Sequence, residues 1–510
     1  MPNCGTDEHG FRARIKRSRP AFLYSQSAMR LNGAHLRHAR YYLTRLKQLE
    51  TEYKDRAQRV KALSDLVLEW TQIESGQRWA AVSHTPSGRK CCSEYARAAA
   101  SLLSVRQSAT DRILWLTQAL AAAQHIGDRR SQAEHLGNLG IAYEDLGQFE
   151  SSRNCLSQAV ELDANLQDEN LEQIHAGQLG LAYIGLSKHE DAAKYLTRAL
   201  SLAKKLGNLP AQGIHFGNLG LLYGEMGRYP RAIEMHEEAL RISQEVGDRR
   251  GEGRDIGNLG VIYYQTGRYP ETEDCFHRSL CICRELGDRY GEALDLSNLT
   301  GLYETLGQND KAVQYAEEAL KVCSEIGAAE REGQTLTSLG VVSQRLYLFD
   351  VAEKFFLRAI ALAEATRDSR GKANRLRALA EMELISGNWQ QASLNAKEAL
   401  EIAREIGTMD IEADTLTTLA SILNSRGKFA EAVQHAELAL LIGRKLGAPR
   451  IQDDALYELE RANTALGERR PLGIDTQNKG DDLSKYSNEA PPLGLLEQTC
   501  ATLRKLAANL

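Results

Sequence analysis

Leucine recurs every 40 residues through most of this chain of 510 residues. A small residue follows it in nearly every copy, and a second small residue recurs about half a copy later. Self-similarity at a fixed interval of roughly 20–50 residues is typical of repeat proteins, in which each copy is one supersecondary unit. The sequence therefore predicts one long repeat array. The leucines are Leu139, Leu179, Leu219, Leu259, Leu299, Leu339, Leu379, Leu419 and Leu459.

Glycines divide each copy into two segments. Gly247, Gly267 and Gly287 follow one another at 20-residue intervals and bound two stretches, and a glycine just after a helix can adopt the left-handed conformation that ends it. We therefore predict one helix near 249–266, called helix A of its copy, and a second near 270–286, called helix B. Aspartates that directly follow such glycines are suited to cap the next helix. They are Asp128, Asp248 and Asp288.

Apolar residues lie on one face of each predicted helix. Ile256, Leu259 and Tyr263 share a face of helix A, and Phe276 and Leu280 share a face of helix B, because residues three or four apart are neighbours on a helix. A single hairpin cannot bury these faces alone. The hairpins are expected to stack into an all-α solenoid.

The pattern Leu259-Gly260-x-x-Tyr263, followed by Gly267-x-Tyr269, Phe276 and a small residue at 279, resembles the tetratricopeptide repeat in its longer, 40-residue form. The phrases GDRRGEGRDIGNLG at 247–260 and GDRYGEALDLSNLT at 287–300 are similar to repeats of the Pins/LGN polarity adaptors. The resemblance implies a right-handed superhelical α-solenoid of helix-turn-helix repeats, with the A helices on its concave side.

Three turns, in two of the copies, depart from this pattern. Ser187, Tyr347 and Arg367 stand where glycine is expected. We interpret them as imperfect turns that leave the fold unchanged.

The domain organisation follows from where the repeat holds. About nine copies, the first one degenerate, are predicted over 93–467. Residues 37–92 are helical in period without the repeat and predict a helical N-terminal cap. Residues 1–36 are basic and irregular, which favours a flexible arm, and 468–494 read as a linker. A last helix is predicted over 495–510.

This last helix carries Leu496, Cys500, Leu503 and Ala507 on one face. It is expected either to cap its own solenoid or to dock into the groove of another chain, which would allow self-association. The cap is the favoured alternative.

The most informative position for function directly precedes the recurring leucine. We call it the amide row. An amide side chain can donate to and accept from a peptide main chain at once, so it can bind an extended segment with little regard to its side chains. The alternative is that these amides bond within the solenoid. The residues are Asn138, Gln178, Asn218, Asn258, Asn298 and Ser338.

Arg254 lies one helical turn before Asn258, and the two resemble the ligand-contacting pair of the family. Three asparagines and one arginine contribute about 3–7 kcal/mol, less than the roughly 8 kcal/mol of a micromolar complex. The partner therefore needs an apolar anchor, and Tyr264 is the candidate to receive it. The predicted peptide-binding residues are Asn218, Arg254, Asn258, Tyr264 and Asn298.

Two groups of metal-ligand residue types are interpreted as packing. His135, His175 and His215 recur one copy apart, which is too far for a shared metal about 2 Å from each nitrogen. His277 and Cys281 are four apart on one helix, but no second ligand pair is evident, and buried thiols are common in cores. We predict no metal and no cofactor.

Composition excludes several functional classes. A net charge of -5 argues against binding nucleic acid through overall charge, and no apolar run is long enough for a membrane span. Nine scattered cysteines and a start without an apolar signal segment are typical of a cytoplasmic protein.

Motifs of hydrolases, metalloproteases and phosphate loops are absent from the sequence. We therefore predict a non-catalytic scaffold or sensor that binds an extended peptide or a partner helix in its concave groove. Residues 37–92 are also similar to the connector before the repeats of STAND (NB-ARC) signalling proteins. The alternative function is thus the ligand-sensing portion of such a system, with its nucleotide-binding domain on another chain.

Overall fold

The computed structural model describes residues 9–55, 58–98, 102–103, 106–446, 448–467 and 493–510. In these ranges the regular structure consists of twenty-two α-helices without a β-strand, and none of them is long and apolar enough to cross a membrane. The chain forms two compact units, 1–218 and 219–510. The all-α solenoid that the leucine repeat predicts is confirmed.

The first eleven helices are α1 (His9–Lys54), α2 (Arg59–Val82), α3 (Pro86–Ala98), α4 (Ala109–Ile126), α5 (Arg129–Glu144), α6 (Phe149–Leu166), α7 (Glu169–Gly185), α8 (His189–Lys205), α9 (Leu209–Glu225), α10 (Tyr229–Val246) and α11 (Arg249–Gln265). The others are α12 (Tyr269–Leu286), α13 (Arg289–Thr305), α14 (Asn309–Ile326), α15 (Ala329–Arg345), α16 (Phe349–Thr366), α17 (Ser369–Ile385), α18 (Trp389–Glu405), α19 (Met409–Ser425), α20 (Phe429–Leu446), α21 (Pro449–Leu466) and α22 (Leu493–Ala508).

The first unit begins with three helices that lack the repeat. Leu46 of α1, Leu66 of α2 and Tyr95 of α3 are buried in one cluster, and the Arg45 guanidinium bridges Asp65 and Glu69 of α2. Helix α1 starts at His9, so residues 9–36 of the expected irregular arm are helical, while residues 1–8 lie outside the described part.

The repeats are the predicted helical hairpins. Helices α11 and α12 agree with the predicted bounds to within one residue, and Asp248 and Asp288 cap α11 and α13 by accepting hydrogen bonds from Gly251 and Gly291. Where two helices of a hairpin cross, the small residue is required for space. A methyl group at Gly260 would lie 2.7 Å from the Phe276 ring, closer than atoms can pack.

The turns without glycine keep the left-handed form. Ser187, Tyr347 and Arg367 have φ angles of 55°, 57° and 57°, close to the 66° of Gly287. The interpretation of imperfect turns is therefore wrong for these residues. The turns have the regular left-handed form. A residue other than glycine strains the backbone in this conformation, because its Cβ atom lies too close to the following carbonyl oxygen.

Several A helices of each unit approach one another more closely than the B helices do. Helix α5 contacts α7 in the first unit, and α13, α15, α17, α19 and α21 contact in succession in the second, whereas consecutive B helices are farther apart. The exposed side of the A helices is the inner face of the array.

The C-terminal helix lies in the second unit, against α14 and α16 and the end of α15 between them. It therefore docks on its own chain, yet in the middle of the array and away from the terminal helix α21. Residues 468–492 of the predicted linker lie outside the described residues. The helix docks there because Leu503 and Ala507 join the buried apolar cluster of these repeats.

Candidate functional site

The inner face of the second unit presents the positions on which the peptide-binding prediction depends. On α11, Ile256 and Leu259 are buried, while Arg254 is exposed and Asn258 is half-buried. Helix α13 repeats this arrangement with Asn298. The helical period thus directs the core residues inward and leaves one turn of polar side chains facing solvent.

The side chains of the amide row make no hydrogen bonds that stabilise the fold in the described part of the chain. Asn258 and Asn298 are half-buried, and neither side chain makes a hydrogen bond with any described residue. Asn218 is also half-buried and without such a bond, but it is the last residue of the first unit. The alternative that these amides bond within the solenoid has no support from the described contacts.

Arg254 is held on one side only. Its Nε lies 3.3 Å from Asp255 Oδ1, and the side chain keeps 47% of its exposure. Asp255 is fully buried and also accepts a hydrogen bond of 2.9 Å from Ser243 Oγ. Burial raises the pKa of Asp255, while Arg254 and Ser243 act against this rise. No other described residue accepts a hydrogen bond from the Arg254 guanidinium.

Tyr264 is engaged in the fold. Its hydroxyl lies 2.6 Å from Thr305 Oγ1, its ring packs against the buried cluster of the following repeats, and burial raises its pKa. The more open aromatic ring near this face is Tyr290, which is 53% exposed and lies 6.0 Å from the Arg331 guanidinium carbon. A partner's apolar side chain can contact Tyr290 without breaking an existing bond.

A polar cleft of about 350 Å³ opens on the inner face between α15 and α17. Its walls carry hydroxyl, amide and charged groups, with the amide-row residue Ser338 among them. Sequence reasoning did not assign this cleft. Gln334 and Asn374 could have been found, since they lie two and three copies after Arg254. The lining residues are Glu330, Gln334, Thr337, Ser338, Asp368, Arg370, Gly371, Asn374 and Arg375.

Arg375 forms the floor of this cleft. Its side chain is only 6% exposed, and its two nearest acceptors, Asp368 Oδ2 and the Glu330 carbonyl oxygen, are both 3.4 Å away. Burial lowers its pKa, and the Asp368 carboxylate opposes that shift. Arg370 at the rim is paired with Asp410 at 2.7 Å. Both charge signs line the cleft, so it favours a ligand rich in hydrogen-bonding groups.

The histidines that recur one copy apart lie in the interior of the first unit. His135 Nε2 is 2.9 Å from Ser93 Oγ, and His175 Nδ1 is 2.6 Å from Asp163 Oδ2. Burial lowers the pKa of His135 and His215 to about 4, so both rings are neutral at pH 7. No group of three metal-ligand side chains occurs among the described residues.

The cysteines of α12 are free thiols. Burial raises the pKa of Cys275 to about 11 and that of Cys283 to about 12. A nucleophilic or metal-binding cysteine is a thiolate, and these two are held in the protonated form at neutral pH.

Family comparisons agree with the repeat pattern. Models described as tetratricopeptide repeat match residues 133–166, 172–245, 256–325, 331–405 and 413–446. Together these matches cover more than half of the chain. No curated protein matches the chain.

Three solved structures illustrate the fold similarity. A Rap protein in complex with competence and sporulation factor is 15% identical and covers 66% of this chain and 99% of its own, with a TM-score of 0.45. The quorum sensor NprR from B. thuringiensis is 16% identical over 69% and 98%, with a TM-score of 0.48. A STAND protein with a tetratricopeptide repeat sensor from Pyrococcus horikoshii is 16% identical over 76% and 57%, with a TM-score of 0.47.

Proposed function

The chain belongs to the tetratricopeptide repeat family, and we propose that it is a non-catalytic interaction scaffold that binds an extended peptide segment of a partner protein on the inner face of its second unit. In this proposal Asn258 and Asn298 hydrogen-bond the peptide main chain, and Arg254 binds a carbonyl or carboxylate oxygen. For Asn218, at the end of the first unit, the peptide contact stays a prediction from the sequence. The cleft between α15 and α17 accepts the following residues of the peptide.

The observation that carries the proposal is the pair of unbonded amides at equivalent positions of consecutive copies. Asn258 and Asn298 are half-buried, so each has lost part of its hydration without gaining a protein partner. An extended chain rises about 3.4 Å per residue, so a peptide that runs from α11 to α13 presents several main-chain groups between the two amides.

The affinity of this contact depends on an apolar anchor. Two hydrogen bonds from asparagine side chains and one charged hydrogen bond contribute about 2–6 kcal/mol, whereas a micromolar complex needs about 8 kcal/mol. Burying one aromatic or aliphatic side chain adds about 1.5–3 kcal/mol. We propose the exposed ring of Tyr290 as the receiving surface, in place of Tyr264, whose hydroxyl is engaged by Thr305.

A random peptide library displayed on phage and selected against the wild-type chain tests this function. The selected peptide is then titrated against Asn258→Ala/Asn298→Ala. We expect the double variant to bind about 10- to 100-fold more weakly, because two hydrogen bonds of roughly 0.5–1.5 kcal/mol each are lost. Its thermal unfolding should match that of wild type, since neither amide bonds within the fold.

Gln314→Ala is the matched control, because Gln314 is an exposed amide on the B helix α14. It should leave peptide affinity unchanged. A folded double variant that keeps full affinity for every selected peptide would exclude the amide row from the binding surface.

A further inference from the structure

The C-terminal helix α22 occupies a groove on the outside of the second unit. This groove, which we call the outer groove, has α14 and α16 as its sides and the end of α15 as its floor. It lies on B helices, away from the A-helix surface that carries Asn258 and Asn298. Leu503 and Ala507 of α22 share one buried cluster with Val313, Val322, Val351 and Phe355 of the groove helices.

The sequence of the groove is adapted to being covered. Val351 is apolar and 3% exposed, although its position in the copy faces solvent elsewhere and carries polar residues there. Val313 is also buried, at 4% exposed, but its position is apolar in other copies as well, with Ile233 and Val433, so Val351 is the informative residue. The residues equivalent to Val351 are Ser151, Asp191, Arg231, Glu271, Lys311, Gln391 and Glu431, all at least partly exposed.

The docked helix matches this groove with one narrow stripe. Thr499, Leu503 and Ala507 are spaced four residues apart and are 6%, 0% and 5% exposed. The opposite side of α22 is polar and exposed, with Gln498, Arg504 and Lys505. Residues four apart lie above one another on a helix, so these three side chains form one ridge, and Leu506 packs against the same cluster beside it.

We propose that the outer groove is a helix-binding site whose resident ligand is α22 of the same chain, bound reversibly. The contact of α22 consists of this ridge and the partly buried Leu506, so the helix is held by few side chains. The segment 468–492 connects it to α21, and a chain of this length reaches up to roughly 80 Å. The tether keeps α22 at high effective concentration near the groove, and a free helix with the same stripe binds only when α22 leaves.

The test uses the full-length chain and a fluorescein-labelled peptide of residues 493–510. In Leu503→Glu the chain's own helix is displaced, because a carboxylate cannot enter the buried cluster. We expect this variant to bind the labelled peptide at least tenfold more tightly than wild type. Adding Val351→Glu should abolish that binding. Arg504→Glu, on the exposed side of α22, is the matched control and should behave as wild type.

Amide hydrogen exchange provides a second measurement that does not depend on the fold of the Val351 variant. In Leu503→Glu, residues 493–508 should lose protection, while α11 and α13 on the inner face keep theirs. Equal peptide binding by wild type and Leu503→Glu would overturn the proposal. A wild-type dimer in light scattering that Leu503→Glu converts to monomer would also overturn it, because α22 would then occupy a second copy.

Discussion

At the scale of single residues, His236 is a polar side chain in a core position. Leu156, Leu196, Phe276 and Phe356 hold the equivalent positions of other B helices. His236 is fully buried, and neither ring nitrogen has a hydrogen-bond partner among the described residues. Burial, with a smaller contribution from the Arg254 charge, lowers its pKa to about 4. The native state therefore holds this ring neutral.

Replacing His236 with leucine should raise the free energy of unfolding by about 1–3 kcal/mol at pH 7, because an unsatisfied buried polar group is removed. The gain should grow as pH falls from 6.5 to 4. In that window the unfolded chain protonates this histidine and the native chain does not, so wild type loses up to about 3 kcal/mol that the variant keeps. Urea denaturation at pH 7 and pH 5 measures both effects.

His125→Leu is the control, because His125 is exposed on α4. As a surface substitution it should leave the free energy of unfolding at pH 7 within about 0.5 kcal/mol of wild type. A His236→Leu chain that is destabilised at pH 7 would show that the ring has a bonding role in the native state.

At the scale of helices and turns, Arg367 is an exposed residue in the left-handed conformation after α16, with a φ of 57°. Arg367→Gly should raise the free energy of unfolding by about 0.5–1 kcal/mol, because relief of the strained backbone exceeds the added entropy of the unfolded chain. Gly247→Ala, the reverse change at φ 71°, should lower it by about 1 kcal/mol. Thermal melts of both variants give the comparison, and a lower melting temperature for Arg367→Gly would contradict it.

The helices themselves were predictable from sequence, because each boundary depends on local chemistry. Gly287 ends α12 and Asp288 starts α13 with no help from distant residues. The position of α22 was not predictable, because its apolar stripe is separated from the repeats by a long segment of sequence and could pack against any of several surfaces. Tyr264 likewise required coordinates, since its bond to Thr305 joins different copies. The cytoplasmic location, the superhelical handedness and the STAND alternative stay predictions.

At the scale of the whole molecule, an array of stacked hairpins distributes its stability locally, because each copy contacts chiefly its neighbours. Leu419 is 3% exposed in the cluster formed by α17 to α21. Leu419→Ala should cost about 2–5 kcal/mol locally and speed amide exchange in α19, α20 and α21. Exchange in α5 and α6 should stay as in wild type.

Leu139→Ala, at the equivalent position seven copies earlier, is the mirror variant and should speed exchange in α3, α4, α5 and α6, which contribute to its buried cluster. Hydrogen exchange with mass spectrometry resolves both sets of peptides. Uniform acceleration along the chain in either variant would show a single cooperative folding unit.

The valine at 351 has a wider consequence for chains built from copies. Equivalent positions of different copies have the same place on their helices, so they are expected to be equally exposed to water and equally polar. A single hydrophobic residue in such a set therefore indicates that another part of the protein covers that position. In a repeat protein, comparing equivalent positions within the one sequence can thus locate surfaces that a segment outside the repeats covers.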